Sequence, residues 1–441
     1  MGCTLFWLFA VMTSVAHAWD GELDTGFAGD GIMAILMGSY DSFGKGVAIQ
    51  ADGTYVLVGV ATNSNEDFGL ARVTPIGSMD VSFGTSGKVF WDGGWGNDGG
   101  WDAAVQDDGK IVVVGTSRLE SASHLTVLRF NNDGTPDVTF GYNGYSIINF
   151  GVNSYGRGLV IQPDGKIVVV GNSDSATFAV ARLDTAGVLD PAFGIGGIYD
   201  DGIFVPGGDR DAWDVGLLPN GWIVVVGSNH INPLPPHVPG GDYFCVQVME
   251  SDGGRLSHTN IDFGGYSEAR GVAIQPDGKI VVVGFTDVNT AIAVARLNAA
   301  GVLDSSFGGD GKITKDFGEG PDEGWDLALQ LDGKIIVVGS ATIDGTVKCV
   351  VLRLLEGGAW DKFGPEPGGS SQGYVAFDFQ GDSRARGVVL LPNAKIVVVG
   401  DALTPTWGYI YLAARLNIPS LEIFADGFES GNTIAWSSTL P

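Results

Sequence analysis

The sequence predicts an all-β chain, a seven-bladed β-propeller of four-stranded antiparallel blades, on three observations. The first is a repeat. A valine–glycine ending recurs at Gly59, Gly115, Gly171, Gly227, Gly284, Gly339 and Gly400, with gaps of 56, 56, 56, 57, 55 and 61 residues. A fixed period of this size marks a repeat architecture. The second is composition: 70 glycines in 441 residues, abundant valine and no long run of helix formers describe short strands joined by tight turns. The third is the content of one period, four strand-like segments parted by turn signals, which fits a propeller blade. A β-solenoid is the competing repeat fold, but its coils use far fewer residues per turn.

In chain order, residues 1–18 read as a secretory signal. An apolar core from Leu5 to Val15, interrupted by Thr13 and Ser14, precedes Ala16-His17-Ala18, a small-x-small cleavage site. Cleavage after Ala18 predicts a secreted or cell-surface protein. The n-region has no Lys or Arg, as a buried N-terminal strand would also have. No later apolar run approaches the ~20 residues that span a bilayer, so no membrane span is expected. Residues 19–418 then form the repeat domain, and residues 419–441 form a tail outside it.

Within a repeat, the first strand is typified by Gly271-Val-Ala-Ile-Gln275, alternating enough to be half-buried. An Asp-Gly or Asn-Gly turn follows at Asp52, Asp108, Asp164, Asn220, Asp277 and Asp332, where glycine supplies the positive φ of a tight hairpin. The seventh copy has Asn393-Ala394, a turn built differently or strained. The second strand, as in Ile167-Val-Val-Val170, is apolar at consecutive positions and so is buried on both faces. The third is Phe178-Ala-Val-Ala-Arg-Leu183 and its relatives. A Leu-Asp-x-x-Phe-Gly loop then leads to the fourth strand.

The ends predict closure. The seventh repeat stops after Leu412-Ala-Ala-Arg-Leu416, and the missing Leu-Asp-x-x-Phe loop stands at Leu23–Phe27, followed by Ile32-Met-Ala-Ile35. The N-terminal strand thus completes blade seven, which removes an open edge. Charges follow the same logic. Arg72, Arg129, Arg182, Arg296 and Arg353 each precede Asp80, Asp137, Asp190, Asp304 and Asp361 by eight residues. Blade four has Gln247 in place of the arginine and lacks the acidic loop, while Arg415 takes Asp24 across the closure. These are structural ion pairs, since breaking a buried pair on one side costs ~3–5 kcal/mol. Cys245 and Cys349 sit on equivalent strands of non-adjacent repeats and read as small buried apolar residues; a disulfide needs Cα atoms within about 7 Å.

The units Gln162-Pro-Asp-Gly-Lys-Ile-Val-Val-Val-Gly171, Ala181-Arg-Leu183 and Leu303-Asp-Ser-Ser-Phe-Gly308 resemble the delta-60 repeat family over roughly residues 20–417. The resemblance implies a β-propeller and no particular activity. The Gly-Val-Ala-Ile-Gln-Pro-Asp-Gly core is also similar to the innermost hairpin of NHL-type propellers, which implies that the first strand lines the central channel. The segment Ile423–Trp436 is similar to short tails of some secreted bacterial proteins, which implies a bacterial source and a sorting or docking role.

Fourteen residues before each marker glycine stand Lys45, Trp101, Arg157, Trp213, Arg270, Trp325 and Arg386, cation and tryptophan alternating. Each tryptophan is followed by an aspartate: Asp102, Asp214 and Asp326. With the first strand innermost, these ten residues crowd the channel mouth. They read either as a ligand-binding ring that stacks a sugar and hydrogen-bonds its hydroxyls, or as cement in which each cation meets the Trp-Asp of the next blade. Cation–π contacts of ~0.5–2 kcal/mol are enough to set such a register.

Hard oxygen ligands for calcium occur in Asp92–Asp98, Asp209-Arg-Asp211 and Asp322-Glu323, none with EF-hand spacing. His230, His237 and Asp242 are the candidates for zinc, but their spacing specifies no site. No metal or cofactor is therefore assigned. No Gly-x-Ser-x-Gly elbow or phosphate-cradling loop is present. The net charge of −27 repels phosphate backbones and excludes nucleic acid as an expected partner. Three functions follow from this reading. The leading one is a monomeric, non-enzymatic module that binds an extracellular protein or carbohydrate. The second is a channel-mouth enzyme of lactonase or polysaccharide-lyase type, calcium-assisted. The third is a structural surface module attached by its tail.

Overall fold

The computed structural model describes residues 21–94, 96–151, 153–174, 177–199, 209–231, 241–364, 373–391, 393 and 395–418. The signal segment 1–18, the tail 419–441, His237 and Ala394 lie outside the described residues.

Seven four-stranded antiparallel sheets form the fold, six with their strands in consecutive order and the seventh completed by the N-terminal strand. Blade one runs Ser42–Ile49, Tyr55–Thr62, Glu66–Val73 and Lys88–Trp91. The first strands of the next five blades are Gly99–Val105, Ser154–Ile161, Asp209–Leu217, Ser267–Ile274 and Glu323–Leu329. Blade seven joins Ser383–Leu390, Lys395–Thr404 and Gly408–Asn417 to the N-terminal Ile32–Ile35. First strands pack against first strands all the way round, blade seven meeting blade one, so they line the central channel.

Each blade is sandwiched between two others, which explains the consecutive valines. Val56 and Val58 of blade one pack with Ile111 and Val113 of blade two, while Leu57 turns to Val397 and Val399 of blade seven. All of these are fully buried. A side chain on either face of a second strand therefore meets another sheet rather than water, and the period-2 alternation of a half-buried strand disappears.

Antiparallel connections divide the loops between two faces. The Asp-Gly hairpins and the loops between third and fourth strands share one, the turn face. The loops that enter each first strand share the other, the loop face, with the connections between second and third strands; Asn65 Nδ2, for example, donates to the Gly96 carbonyl.

The arginine–aspartate pairs stand on the turn face. Distances are 2.8 Å for Arg72–Asp80, 2.7 Å for Arg129–Asp137, 2.8 Å for Arg182–Asp190, 2.9 Å for Arg296–Asp304 and 2.7 Å for Arg353–Asp361. Each guanidinium also lies over the phenylalanine of its own loop, as Arg129 over Phe140 at 4.5 Å. It reaches further than its own blade. Arg72, Arg129, Arg182, Arg296 and Arg415 donate to carbonyls of Asn132, Thr185, Ser251, Glu356 and Pro75 in the following blade. The pairs therefore hold blade to blade as well as loop to strand. At the closure, Arg415 Nε is 2.6 Å from Asp24, which also contacts Lys395, and Ile32–Ile35 pairs in register with Tyr411–Ala414. Cys245 and Cys349 are buried.

Candidate functional site

The first strand of every blade breaks register once against the second. The breaks fall between Gly44 and Gly46, Gly100 and Asp102, Gly156 and Gly158, Ala212 and Asp214, Ala269 and Gly271, Gly324 and Asp326, and Ala385 and Gly387. The residue skipped each time is Lys45, Trp101, Arg157, Trp213, Arg270, Trp325 or Arg386. A β-bulge adds one unpaired residue and re-aims its side chain, and here all seven turn into the channel, lining a single cavity.

The marker glycine exists for this bulge. A Cβ at Gly171 would stand 1.8 Å from the Tyr155 carbonyl oxygen, and one at Gly227 1.7 Å from that of Asp211. The same collision with the carbonyl two residues before the bulge recurs at Gly59, Gly115, Gly284, Gly339 and Gly400. The valine–glycine repeat is thus the sequence trace of the channel ring.

Within the ring, cations and indoles interleave. Arg157 lies 3.9 Å from Trp101 and 4.5 Å from Trp213; Arg270 lies 5.2 Å from Trp213 and 3.6 Å from Trp325. Arg386 covers Trp325 at 3.8 Å, and Lys45 covers Trp101 at 5.1 Å. The tryptophans meet edge to face, Trp101–Trp213 at 5.7 Å and Trp213–Trp325 at 6.2 Å. The central cavity measures ≈ 100 Å³, well below the ~300 Å³ at the lower end of ligand pockets.

The three aspartates behave differently from the cement reading, which paired them with cations. Asp102 accepts N–H groups of Ala103 (2.7 Å) and, in the next blade, Leu159 (3.0 Å). Asp214 does so with Val215 (2.7 Å) and Val272 (2.8 Å), and Asp326 with Leu327 (2.7 Å) and Val388 (2.8 Å). Each carboxylate therefore stitches its blade to the following one through donors the bulge leaves free. Burial pushes Asp102 up to about 6 and Asp326 up to about 7; Asp214, burdened also by its two counterparts, rises well above the carboxylate range.

Above the ring, toward the loop face, Arg270 pairs with Glu268 (3.1 Å) and Glu323 (3.4 Å), and Trp325 donates to Glu323 (3.0 Å). Asp401, fully buried, faces Arg384 (3.5 Å) and Arg386 (3.4 Å). These partners stand two residues before a bulge or opposite such a residue. Of these the sequence singled out only Glu323, as a calcium ligand rather than a partner of the ring; Glu268, Arg384 and Asp401 stand outside the one repeat position that marks it.

The acidic loops are only partly brought together. Asp92 and Asp98 converge with Asp67, which the sequence reading did not include, with one oxygen from each within 4.8 Å of the others. Burial, then Asp92 and Asp98, push Asp67 up to about 6. Both Asp98 oxygens already accept backbone N–H bonds, from Gly93 at 2.6 Å and Arg118 at 2.7 Å. That leaves the cluster short of the six to eight oxygens calcium takes. Asp322 is buried and accepts the Phe317 N–H (2.7 Å), while Glu323 turns to the ring. His230 contacts Asp242.

With this geometry in view, comparison with known proteins shows the same architecture. Residues 50–83, 106–140, 162–193, 275–307 and 330–362 match a family model described as a domain of unknown function (DUF5122) β-propeller. The chain is a β-propeller repeat protein. No curated protein matches its sequence significantly. Among solved structures, a catalytically inactive virginiamycin B lyase from Staphylococcus aureus, with quinupristin, is similar at 8% identity and TM-score 0.50, covering 87% of this chain and 98% of that one. A protein of unknown function from Dyadobacter fermentans is similar at 13% identity and TM-score 0.48, over 88% and 99% of the two chains. A ulvan lyase bound to its saccharide is similar at 12% identity and TM-score 0.48, over 90% and 94%. Such likeness is one of fold.

Proposed function

We propose that the protein is an exported, non-enzymatic binding module whose working surface is the loop face, and that its partner is a basic protein segment. The observation that carries this reading is a ring of exposed acid on the loop face with few bases among it. Asp41, Asp92, Asp174, Asp262, Asp287, Asp316, Glu319 and Asp378 are exposed around that face. Arg118, Lys315 and Lys348 stand among them, and Lys312 Nζ reaches the Asp262 carbonyl at 2.8 Å. The turn face also exposes Asp30, Asp52, Asp107, Asp133, Glu250, Asp252 and Glu356, but there Lys110, Lys166, Lys279, Lys334 and Lys395, each against an aspartate, and the arginine pairs stand among them. A concentrated field of one sign steers and holds a partner of the other.

The ring supports binding over catalysis. Its cations are stacked, its carboxylates are held by backbone amides, and its cavity is too small for a sugar ring with its hydroxyls. Export is supported by the Ala16-His-Ala18 cleavage pattern.

The test is charge-matched. Asp92→Asn, Asp262→Asn, Asp316→Asn and Asp378→Asn combined remove four charges from the loop face. Asp108→Asn, Asp164→Asn, Asp277→Asn and Asp332→Asn combined remove four from the turn face. Titration of a deca-lysine peptide should lose affinity with the first set and keep it with the second. Equal loss in both sets refutes a face-specific site.

A further inference from the structure

Seven is odd, so an alternating ring cannot close, and the mismatch falls where blade seven meets blade one. There Arg386 and Lys45 stand side by side with no indole between them. Every arginine in the ring covers at least one indole, and Arg157 and Arg270 each lie between two. Lys45 Nζ meets only the Phe43 ring at 5.2 Å and the Trp101 ring at 5.1 Å. Among the described residues no carboxylate or hydrogen-bond acceptor is paired with it. The acid whose charge acts on it is Asp401, and that carboxylate is already shared between Arg384 and Arg386. Three cations thus surround one buried anion, beside a cavity of ≈ 100 Å³ that Lys45 and Arg386 line. On the same cavity wall the Trp213 indole nitrogen is buried with no acceptor.

We propose that this seam is a binding site for a small monoanion of carboxylate or bicarbonate size, held between Lys45 Nζ and the Arg386 guanidinium. A flat guanidinium beside an ammonium suits a planar two-oxygen anion. The groups facing Lys45 set its protonation. Burial first, then repulsion from Arg386, Arg157 and Arg384, lower it to about 7, against the pull of Asp401. Asp102, Asp214 and Asp326 line the same cavity, their oxygens engaged by amides. Anion binding therefore takes up a proton on Lys45 above neutral pH and weakens as pH rises.

The experiment uses sodium formate as the probe on the full chain, with a bulky sulfonate at equal ionic strength as the comparator. Formate should raise the melting temperature saturably at pH 6.5 and less at pH 9, where the sulfonate does neither. Lys45→Met, which keeps the stem, should weaken formate binding about tenfold or more, the scale of one charge-assisted hydrogen bond. A wild type indifferent to formate, or a variant that responds equally, overturns the proposal. Should the variant not fold, the wild-type protein decides: with 13C-dimethylated lysines, formate should move the Lys45 titration midpoint upward, and an unmoved midpoint overturns the site.

Discussion

Asp24→Asn is the substitution that bears hardest on ring closure. Asp24 is buried, 7% exposed, and its carboxylate meets Arg415 Nε at 2.6 Å and the Lys395 ammonium as well. Its ionised form is favoured: burial opposes it, but Lys395, the Gly26 N–H and Arg415 together hold the carboxyl below the usual range. An asparagine keeps the Gly26 bond and removes the charge, leaving Arg415, itself 6% exposed, without its counter-ion. Breaking a buried pair on one side costs ~3–5 kcal/mol. Unfolding entropy of ~2.1 cal/mol/K per residue over about 400 residues gives ~0.8 kcal/mol/K, so the melting temperature should fall by about 4–6 °C. Differential scanning calorimetry measures this directly. Asp164→Asn is the control: its side chain is 56% exposed and 3.5 Å from Lys166, a surface pair worth ~0–1 kcal/mol. A shift within 1 °C for both variants would refute the closure as the place where the ring is fastened.

Two further outcomes are expected. Gln247 occupies the arginine position in blade four, is fully buried, and leaves both amide atoms without hydrogen bonds among the described residues. Gln247→Leu should therefore raise the melting temperature by about 1–3 °C, since an unmatched buried polar group costs ~1–3 kcal/mol. A fall would mean an ordered water or ligand holds that amide. Stability should also decline from pH 5 to pH 7. Asp102 at about 6 and Asp326 at about 7 are raised above the ~3.9 of the unfolded chain, so the native state binds more protons across that window and loses the advantage as pH rises. Lys45 acts oppositely above pH 7, where the unfolded chain is the better proton binder. Asp326→Asn should flatten the slope between pH 5 and 7 in urea melts; an unchanged slope would place the titration elsewhere.

The architecture was legible because one period carries redundant marks of the blade: the marker glycine, the Asp-Gly turn, the Arg–Asp spacing and the split seventh repeat. Most of these fix a local backbone event, so each can be read without knowing its neighbours. The ring positions were legible for the same reason, since each stands fourteen residues before a glycine. What those side chains touch was not. Whether Trp213 stacks a sugar or Arg157 depends on the bulge, and a bulge appears in sequence only as a glycine whose purpose is hidden. The stitching by Asp102, Asp214 and Asp326 depends on amides of the next blade, at separations of 57, 58 and 62 residues. Asp67 joins Asp92 and Asp98 from a third strand facing a different loop, and no spacing rule connects them. The acid of the loop face was visible only as a net charge of −27, because its placement among the loops is created by folding.

Hydrogen exchange with and without a bound deca-lysine peptide, read residue by residue, tests most directly whether the loop face is the working surface. Added protection should gather at the loops entering the first strands, around Asp92, Asp262, Asp316 and Asp378, and leave the Asp-Gly hairpins unchanged. Protection centred on the hairpins around Asp108, Asp164 and Asp277 would contradict it.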